Sequence, residues 1–249
     1  MTVKFQLSTE QISQNINEVQ KYLVSKELEG IYISSFDEFI NEYVPMSDCH
    51  RYFFTGFSGS TAECFVPVVG KAKLYVDGRY HEQADLECDL DIIEVVKVPH
   101  NQEVRATLSE DLNNLGIKKI ACEGQRTSVE FYKYLKANFN LAVIDESVFE
   151  NIYTISEQLP LKTIYQLDEK LCGKSVNEKL ADIFPNDGEA YFITAIDSLA
   201  WLTNCRGYHL PYLSSFLGKG IAVKDKVFVF VKEGVENSCD DEHVEFVSG

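Results

Sequence analysis

Apolar residues recur at helical spacing through Ile12, Ile16, Val19, Leu23 and Val24, behind an S-x-x-Q capping box formed by Ser8 and Gln11. This predicts a helix from Thr9 to Lys26. Glu29-Gly30 breaks it, and Ile31-Tyr32-Ile33 reads as a strand. Residues 37–50 carry Pro45, Ser47 and Asp48 and read as a loop. Arg51 to Phe54 reads as a second strand, followed by a tight Gly/Ser turn from Gly56 to Ser60. Thr61–Val69 and Lys73–Val76 predict a hairpin around Gly70.

From Tyr80 the pattern changes to alternation of the two periods. Helices are expected over Tyr80–Leu86, over Glu103–Leu115 with Gly116 as its stop, and from the cap Ser128 to Ala137. Strands are expected over Ile92–Val96, Ile117–Cys122 and Leu141–Ile144. Antiparallel strands followed by a β-α-β-α-β run give an α/β fold, a mixed β-sheet flanked by helices. A boundary is expected within Phe149–Lys162, and Gln166–Asp182 then reads as an amphipathic helix through Leu167, Leu171, Val176 and Leu180.

After that boundary the first pattern returns. Gly30–Asp37 is matched by Ala190–Asp197, 160 residues later; Tyr52–Phe57 by the stretch from Ala200, 148 residues later; and Lys73–Gly78 by Phe228–Gly234. Unequal offsets with conserved order describe two tandem domains, 1–158 and 163–249, with loops of different length. Three further strand signals follow Gly78, whereas 15 residues follow Gly234, so the second domain is expected to be truncated.

Composition narrows the function classes. A hydrophobic fraction of 45% supports packed cores. A net charge of −16 excludes unspecific nucleic-acid binding, which needs basic patches. The seven cysteines form no C-x-x-C pair and read as reduced, mostly buried thiols. The polar start, Met1–Asn17, has no apolar signal segment, and no apolar run approaches the ~20 residues of a membrane span. No membrane partner and a cytoplasmic location are expected.

Direct signatures of catalysis are missing: no H-E-x-x-H, no P-loop and no G-x-G-x-x-G. The turn Gly56-Phe57-Ser58-Gly59-Ser60 resembles a nucleophile elbow but lies between predicted strands, where such an elbow does not belong. Cys239-Asp240-Asp241-Glu242-His243 places adjacent groups on opposite sides of an extended chain, which disfavours a shared metal ion and fits a solvated acidic loop. No catalytic residue and no metal ligand is therefore assigned.

Two stretches carry more polar chemistry than a core needs. In Asp77-Gly78-Arg79-Tyr80, Arg79 either serves a cleft or pairs with a nearby carboxylate beside the turn. In Asn204–Tyr212, the residues Arg206, His209 and Tyr212 crowd a loop beside Gly207 and Pro211. They are the substrate-cleft candidates, against the plainer reading of a solvated loop with an internally paired arginine.

These stretches resemble the amino-terminal part of the Xaa-Pro aminopeptidases (aminopeptidase P) of the creatinase/prolidase family. The family's first domain carries motifs like S-D-x-H-x-S-E-Y, R-x-F-x-x-G-F-T-G-S and D-G-R-Y. Here Ser35-Phe36-Asp37 with Asn41-Glu42-Tyr43, Arg51 through Ser60, and Asp77-Gly78-Arg79-Tyr80 stand in their order. The second domain's motif, like T-A-L-D-x-I-A-W-L-x-N-x-R-G-x-D-I-P-Y, is matched by Thr194 through Tyr212. Phe39 stands where the family often has His, and His209 where it has Asp.

The resemblance implies two tandem creatinase N-terminal-type (ribonuclease H-like) domains. It also implies a third, catalytic domain holding two divalent ions, manganese, outside this chain, with no cofactor in the chain itself. The implied activity is metal-assisted hydrolysis that releases the first residue of peptides with proline at position two. The implied assembly is a homodimer of the full-length protein, and the implied role of this part is shaping substrate access. Two alternatives stay open: a non-enzymatic peptide- or protein-binding module of creatinase fold, and the amino-terminal region of a prolidase.

Overall fold

A computed structural model describes residues 6–145, 147–153, 162–184, 188–210 and 213–249. They divide into two compact units, one holding the described residues up to Tyr153 except 39–41, the other holding 39–41 and the described residues from Lys162 on.

The first unit opens with α1 (Thr9–Ser25), started by the reciprocal Ser8–Gln11 capping box. Its stripe of Ile12, Ile16, Val19 and Leu23 is buried, as the spacing requires. Then follow β1 (Gly30–Ile33), α2 (His50–Thr55), β2 (Glu63–Pro67), β3 (Ala72–Val76), α3 (His81–Glu87), β4 (Ile93–Lys97), α4 (Val104–Asn114), β5 (Lys119–Glu123), α5 (Val129–Asn138), β6 (Asn140–Ile144) and α6 (Ser147–Glu150). The strands form one sheet in the order β4-β3-β2-β1-β5-β6. β1 is antiparallel to β2 and parallel to β5, and β2–β3 is the expected hairpin, with Gly70 at φ 104°.

Both faces of this sheet are covered. Ile31, Ile33, Leu74 and Val76 pack with the α1 stripe on one face. Tyr32, Phe65 and Tyr75 pack on the other with Leu108 and Leu112 of α4 and Phe131 and Leu135 of α5.

One expected strand of this unit is a helix. Arg51–Phe54 lies within α2, all six of whose residues are buried. A short apolar run buried on every side has no readable period, so strand and helix look alike in the sequence. Gly56, at φ 70°, stops the helix in the left-handed conformation.

The second unit contains β7 (Tyr165–Gln166), a 3₁₀ turn (Glu169–Leu171), α7 (Val176–Ile183), β8 (Tyr191–Ile193), α8 (Ile196–Leu202), β9 (Cys205–Arg206), β10 (Lys219–Val223), β11 (Lys226–Val231) and β12 (Val244–Ser248). The single helix expected over Gln166–Asp182 is thus three elements. Gly173, at φ 72°, interrupts it, and Ser175 with Glu178 starts α7 through its own capping box. β7 pairs with β9 as a separate antiparallel ribbon.

The larger sheet runs β12-β11-β10-β8. β8–β10 and β10–β11 are antiparallel and β11–β12 is parallel, the same relations that link β1, β2, β3 and β4. The repeat read from the sequence is therefore a repeat of strand, helix, hairpin and parallel fourth strand. It extends to the end of each helix. Thr55 Oγ1 donates to the Arg51 carbonyl and accepts from Phe57 N–H; Thr203 Oγ1 donates to the Leu199 carbonyl and accepts from Cys205 N–H. Gly56 and Asn204, each one residue further on, both take the left-handed conformation.

Candidate functional site

The polar segment that begins at Asn204 leaves α8 and enters β9. Asn204, at φ 57°, makes the left-handed turn and directs its amide inward, where Oδ1 accepts from Lys179 Nζ. Lys179 sits on the buried face of α7, donates also to the Trp201 carbonyl at 2.6 Å, and lies 4.6 Å from the Trp201 ring centre. Burial lowers its pKa below the ordinary lysine value. This buried lysine escapes a sequence reading because it occupies a position in an otherwise apolar stripe; a charge on that stripe is the signal that could have found it.

Arg206, in β9, turns its guanidinium back on the end of α8. Its Nη1 donates to the Ala200 carbonyl, an acceptor that the last turn of α8 leaves open, and to the carbonyl of the preceding residue Cys205, both at 2.8 Å. Gly207 follows because a Cβ there would stand 2.6 Å from Phe216 Cβ. Tyr208 is held at φ 50°, unusual for a bulky residue, by N–H bonds from Gly207 and Tyr208 to the Ser214 carbonyl and by stacking on Tyr165. The Tyr165 and Tyr208 side chains also hydrogen-bond each other, which raises the Tyr165 pKa.

His209 is buried. Leu217 N–H donates to Nδ1 at 3.0 Å, so Nε2 carries the hydrogen and donates it to the Lys162 carbonyl at 2.7 Å. Both nitrogens are engaged by backbone and the ring is neutral. Burial holds its pKa below the ordinary histidine value.

Arg206 and His209 are thus brought into one short segment, each anchored to backbone of its own unit. Tyr212 lies outside the described residues. Arg79 belongs to the first unit, where it is exposed; its Nη2 pairs with Asp77 Oδ2 at 2.8 Å and its guanidinium lies over the Tyr80 ring.

A second polar cluster, in the first unit, was not legible in the sequence. It lies where the parallel strands β1 and β5 end. His50 Nδ1 hydrogen-bonds Glu123 Oε1, and Arg126 pairs with Asp48 at 2.8 Å. Glu123 Oε2 and Tyr153 Oη are buried with no hydrogen-bond partner among the described residues. Nearby, Arg51 is fully buried and donates to Ser35 Oγ and to the carbonyls of Phe57 and Gly59, which fixes the Gly/Ser turn. That turn follows a helix and precedes a strand, the reverse of a nucleophile elbow.

Among the described residues no group of three or more His, Cys, Asp or Glu converges to hold a metal ion. The described donors therefore offer no set for a divalent pair, and no catalytic step is assigned to them. The seven cysteines are free thiols, five of them buried. Cys205 and Cys239 hydrogen-bond each other; this lowers the pKa of the half-buried Cys239 and, with burial, raises that of Cys205. No described helix is long and apolar enough to cross a membrane.

The creatinase/prolidase N-terminal domain matches twice, over residues 16–152 and 156–247. The chain is 27% identical over 246 residues to Xaa-Pro aminopeptidase 1 of Dictyostelium discoideum, covering 91% of this chain and 38% of that protein. It is 30% identical over 223 residues to a probable Xaa-Pro aminopeptidase P of Coprinopsis cinerea, covering 85% and 35%. Among solved structures, the X-prolyl aminopeptidase of Caenorhabditis elegans, described as a cytosolic enzyme with a di-nuclear active site, superposes with a TM-score of 0.77 at 22% identity, over 95% of this chain and 42% of that one. The chain therefore spans well under half the length of these relatives.

Proposed function

The chain belongs to the creatinase/prolidase N-terminal domain family, and we propose that its two units form the amino-terminal, non-catalytic part of an Xaa-Pro aminopeptidase. Such a hydrolase releases the residue that precedes proline at the start of a peptide. The observation that carries this reading is collinearity: one alignment to a relative of that name runs through 91% of the chain and stays within 38% of the relative.

In this reading the metal ions, manganese, and the reacting carbonyl belong to polypeptide outside the matched segment. The two units shape the approach of the peptide, restrict its length and contribute to a homodimer in the cytoplasm. The segment from Asn204 borders the approach, the backbone of its described part, Asn204 to Leu210, being set by Arg206 and His209; Tyr212 in this unit and, separately, Arg79 in the first unit are contact groups for the peptide.

The experiment is an assay of the purified chain on a peptide beginning Xaa-Pro, with and without manganese. No release of the first residue is expected in either condition. Manganese-dependent release that co-purifies with the chain would refute a non-catalytic role.

A further inference from the structure

The loop that leads from β11 to β12 is fastened twice to β7. Ser238 N–H donates to the Ile164 carbonyl at 2.8 Å, and Asp240 N–H donates to Gln166 Oε1 at 3.3 Å. β7 is the partner of β9, with Gln166 directly opposite Cys205. Cys239, between the two fastenings, is thereby held beside Cys205. Cys205 belongs to the core of the second unit, and Cys239 packs against that core. The two side chains meet in a hydrogen bond, with Cys205 as donor and Cys239 as acceptor. Folding thus joins two thiols from distant parts of the sequence.

The two thiols are unlike each other. Cys205 is fully buried, whereas Cys239 is half-buried between the exposed residues Ser238 and Asp240. The Cys205 thiol and the Asp241 N–H both donate to the Cys239 sulfur. Together they outweigh burial and the carboxylates of Asp240 and Asp241, and they lower the Cys239 pKa. The same thiol–thiol bond, with burial, raises the pKa of Cys205. Cys239 is therefore the thiolate within reach of solvent, and Cys205 the protonated thiol behind it. The remaining thiols are shielded. Cys49, Cys64, Cys88 and Cys122 are buried, and burial raises the pKa of the last three. Cys172, half-buried, bonds the Asp168 carbonyl at 3.4 Å.

We propose that Cys239 and Cys205 form a modification site, a dithiol that a small neutral hydroperoxide closes to a disulfide within the second unit. The Cys239 thiolate attacks the O–O bond. An S–O bond forms, and the hydroxide that leaves takes up the proton the thiol had given up. The Cys205 sulfur then attacks the Cys239 sulfur. The S–S bond forms, the S–O bond breaks, and hydroxide departs with the Cys205 proton as water. The two thiols lose two electrons, the peroxide gains them, and hydrogen peroxide yields two waters. The surroundings select the oxidant. Glu236, Asp240, Asp241 and Glu242 flank Cys239 and repel an anionic disulfide such as oxidised glutathione, whereas hydrogen peroxide carries no charge. The bond ties β9, and with it the start of the Arg206 segment, to the loop ahead of β12. It closes a long loop of chain, so the oxidised protein should melt at a higher temperature.

The test treats the intact, reduced chain with one equivalent of hydrogen peroxide under native conditions, then alkylates in denaturant and maps the peptides by mass. The expected first product is a Cys205–Cys239 disulfide, lighter by two hydrogens and reversed by dithiothreitol, with Cys172 still free to alkylate. Cys239→Ser, at a half-exposed position that tolerates a hydroxyl, should consume peroxide about tenfold more slowly. Cys205→Ala should form no disulfide and leave a sulfenic acid on Cys239 that dimedone captures. Should the cavity left in the core unfold that variant, the natural chain and Cys239→Ser decide the matter by themselves. First oxidation at Cys172 or another cysteine overturns the proposal. So does a disulfide between two chains, full consumption of peroxide without the Cys205–Cys239 bond, or equal rates in Cys239→Ser and the natural chain. Faster closure by oxidised glutathione at the same concentration overturns the choice of oxidant.

Discussion

His209 fastens Lys162 to the segment that follows α8: its Nε2 hydrogen bonds the Lys162 carbonyl, and its Nδ1 accepts the Leu217 amide. One neutral imidazole thus joins three stretches of backbone. Replacing it with alanine leaves the Leu217 N–H and the Lys162 carbonyl, both only partly buried, without that partner, at up to about 1–3 kcal/mol in total. His209→Ala should lower the melting temperature by several degrees, measured by circular dichroism; an unchanged value would show that the two bonds are dispensable.

The same geometry sets a pH dependence. The folded-state pKa of His209 lies below its ordinary value of 6.5, so between those two values the unfolded chain binds more protons than the folded one. The stability from the neutral ring is complete above the unfolded pKa and is lost as pH falls toward the folded one. Urea melts at stepped pH values from neutral downward should show this decline in the natural chain and a shallower one in His209→Asn. Parallel declines in both would assign the effect to other groups.

Arg206 ties the last turn of α8 to β9 through the Ala200 and Cys205 carbonyls. Arg206→Ala should destabilise by about 1–3 kcal/mol, and Arg206→Lys should recover only part, since an ammonium cannot reproduce the planar fork. If the residue also contacts peptide in a full enzyme, kcat/KM should fall tenfold for each ~1.4 kcal/mol of lost transition-state interaction. Equal stability of Arg206→Ala and the natural chain, by denaturant titration, would contradict the supporting role.

The duplicated helix ends respond differently to substitution. Gly56→Ala forces a side chain into the left-handed region and places its Cβ 2.9 Å from Ile12 Cδ1, so a loss of more than about 1 kcal/mol is expected. Asn204→Gly suits the backbone but removes the acceptor of Lys179 Nζ, so its loss should shrink in a Lys179→Met background. A double-mutant cycle with zero coupling would contradict the pairing.

Much of this architecture is legible in the chain because the signals are local. The Ser8 capping box, the hairpin at Gly70 and the cap at Ser128 each combine residue chemistry with short spacing. The Tyr32 and Phe192 equivalence is visible as an offset of 160 residues. What the sequence hides is tertiary. Arg51–Phe54 has no period because every side is buried, and Gln166–Asp182 reads as one helix until Gly173 and Ser175 are weighed as stop and start. His209 and Arg206 stand out as a crowded loop, but their backbone partners are set by folding; the bond to Lys162 spans 47 residues.

The central claim is that these two units serve as the amino-terminal part of an Xaa-Pro aminopeptidase. The most direct measurement is kcat/KM, on a peptide beginning Xaa-Pro, of a chimera in which this chain replaces the aligned segment of the Dictyostelium relative. The expected result is a folded, metal-loaded chimera whose kcat/KM lies within about tenfold of the parent, an allowance of ~1.4 kcal/mol. A folded, metal-loaded chimera no more active than the parent lacking that segment would contradict it.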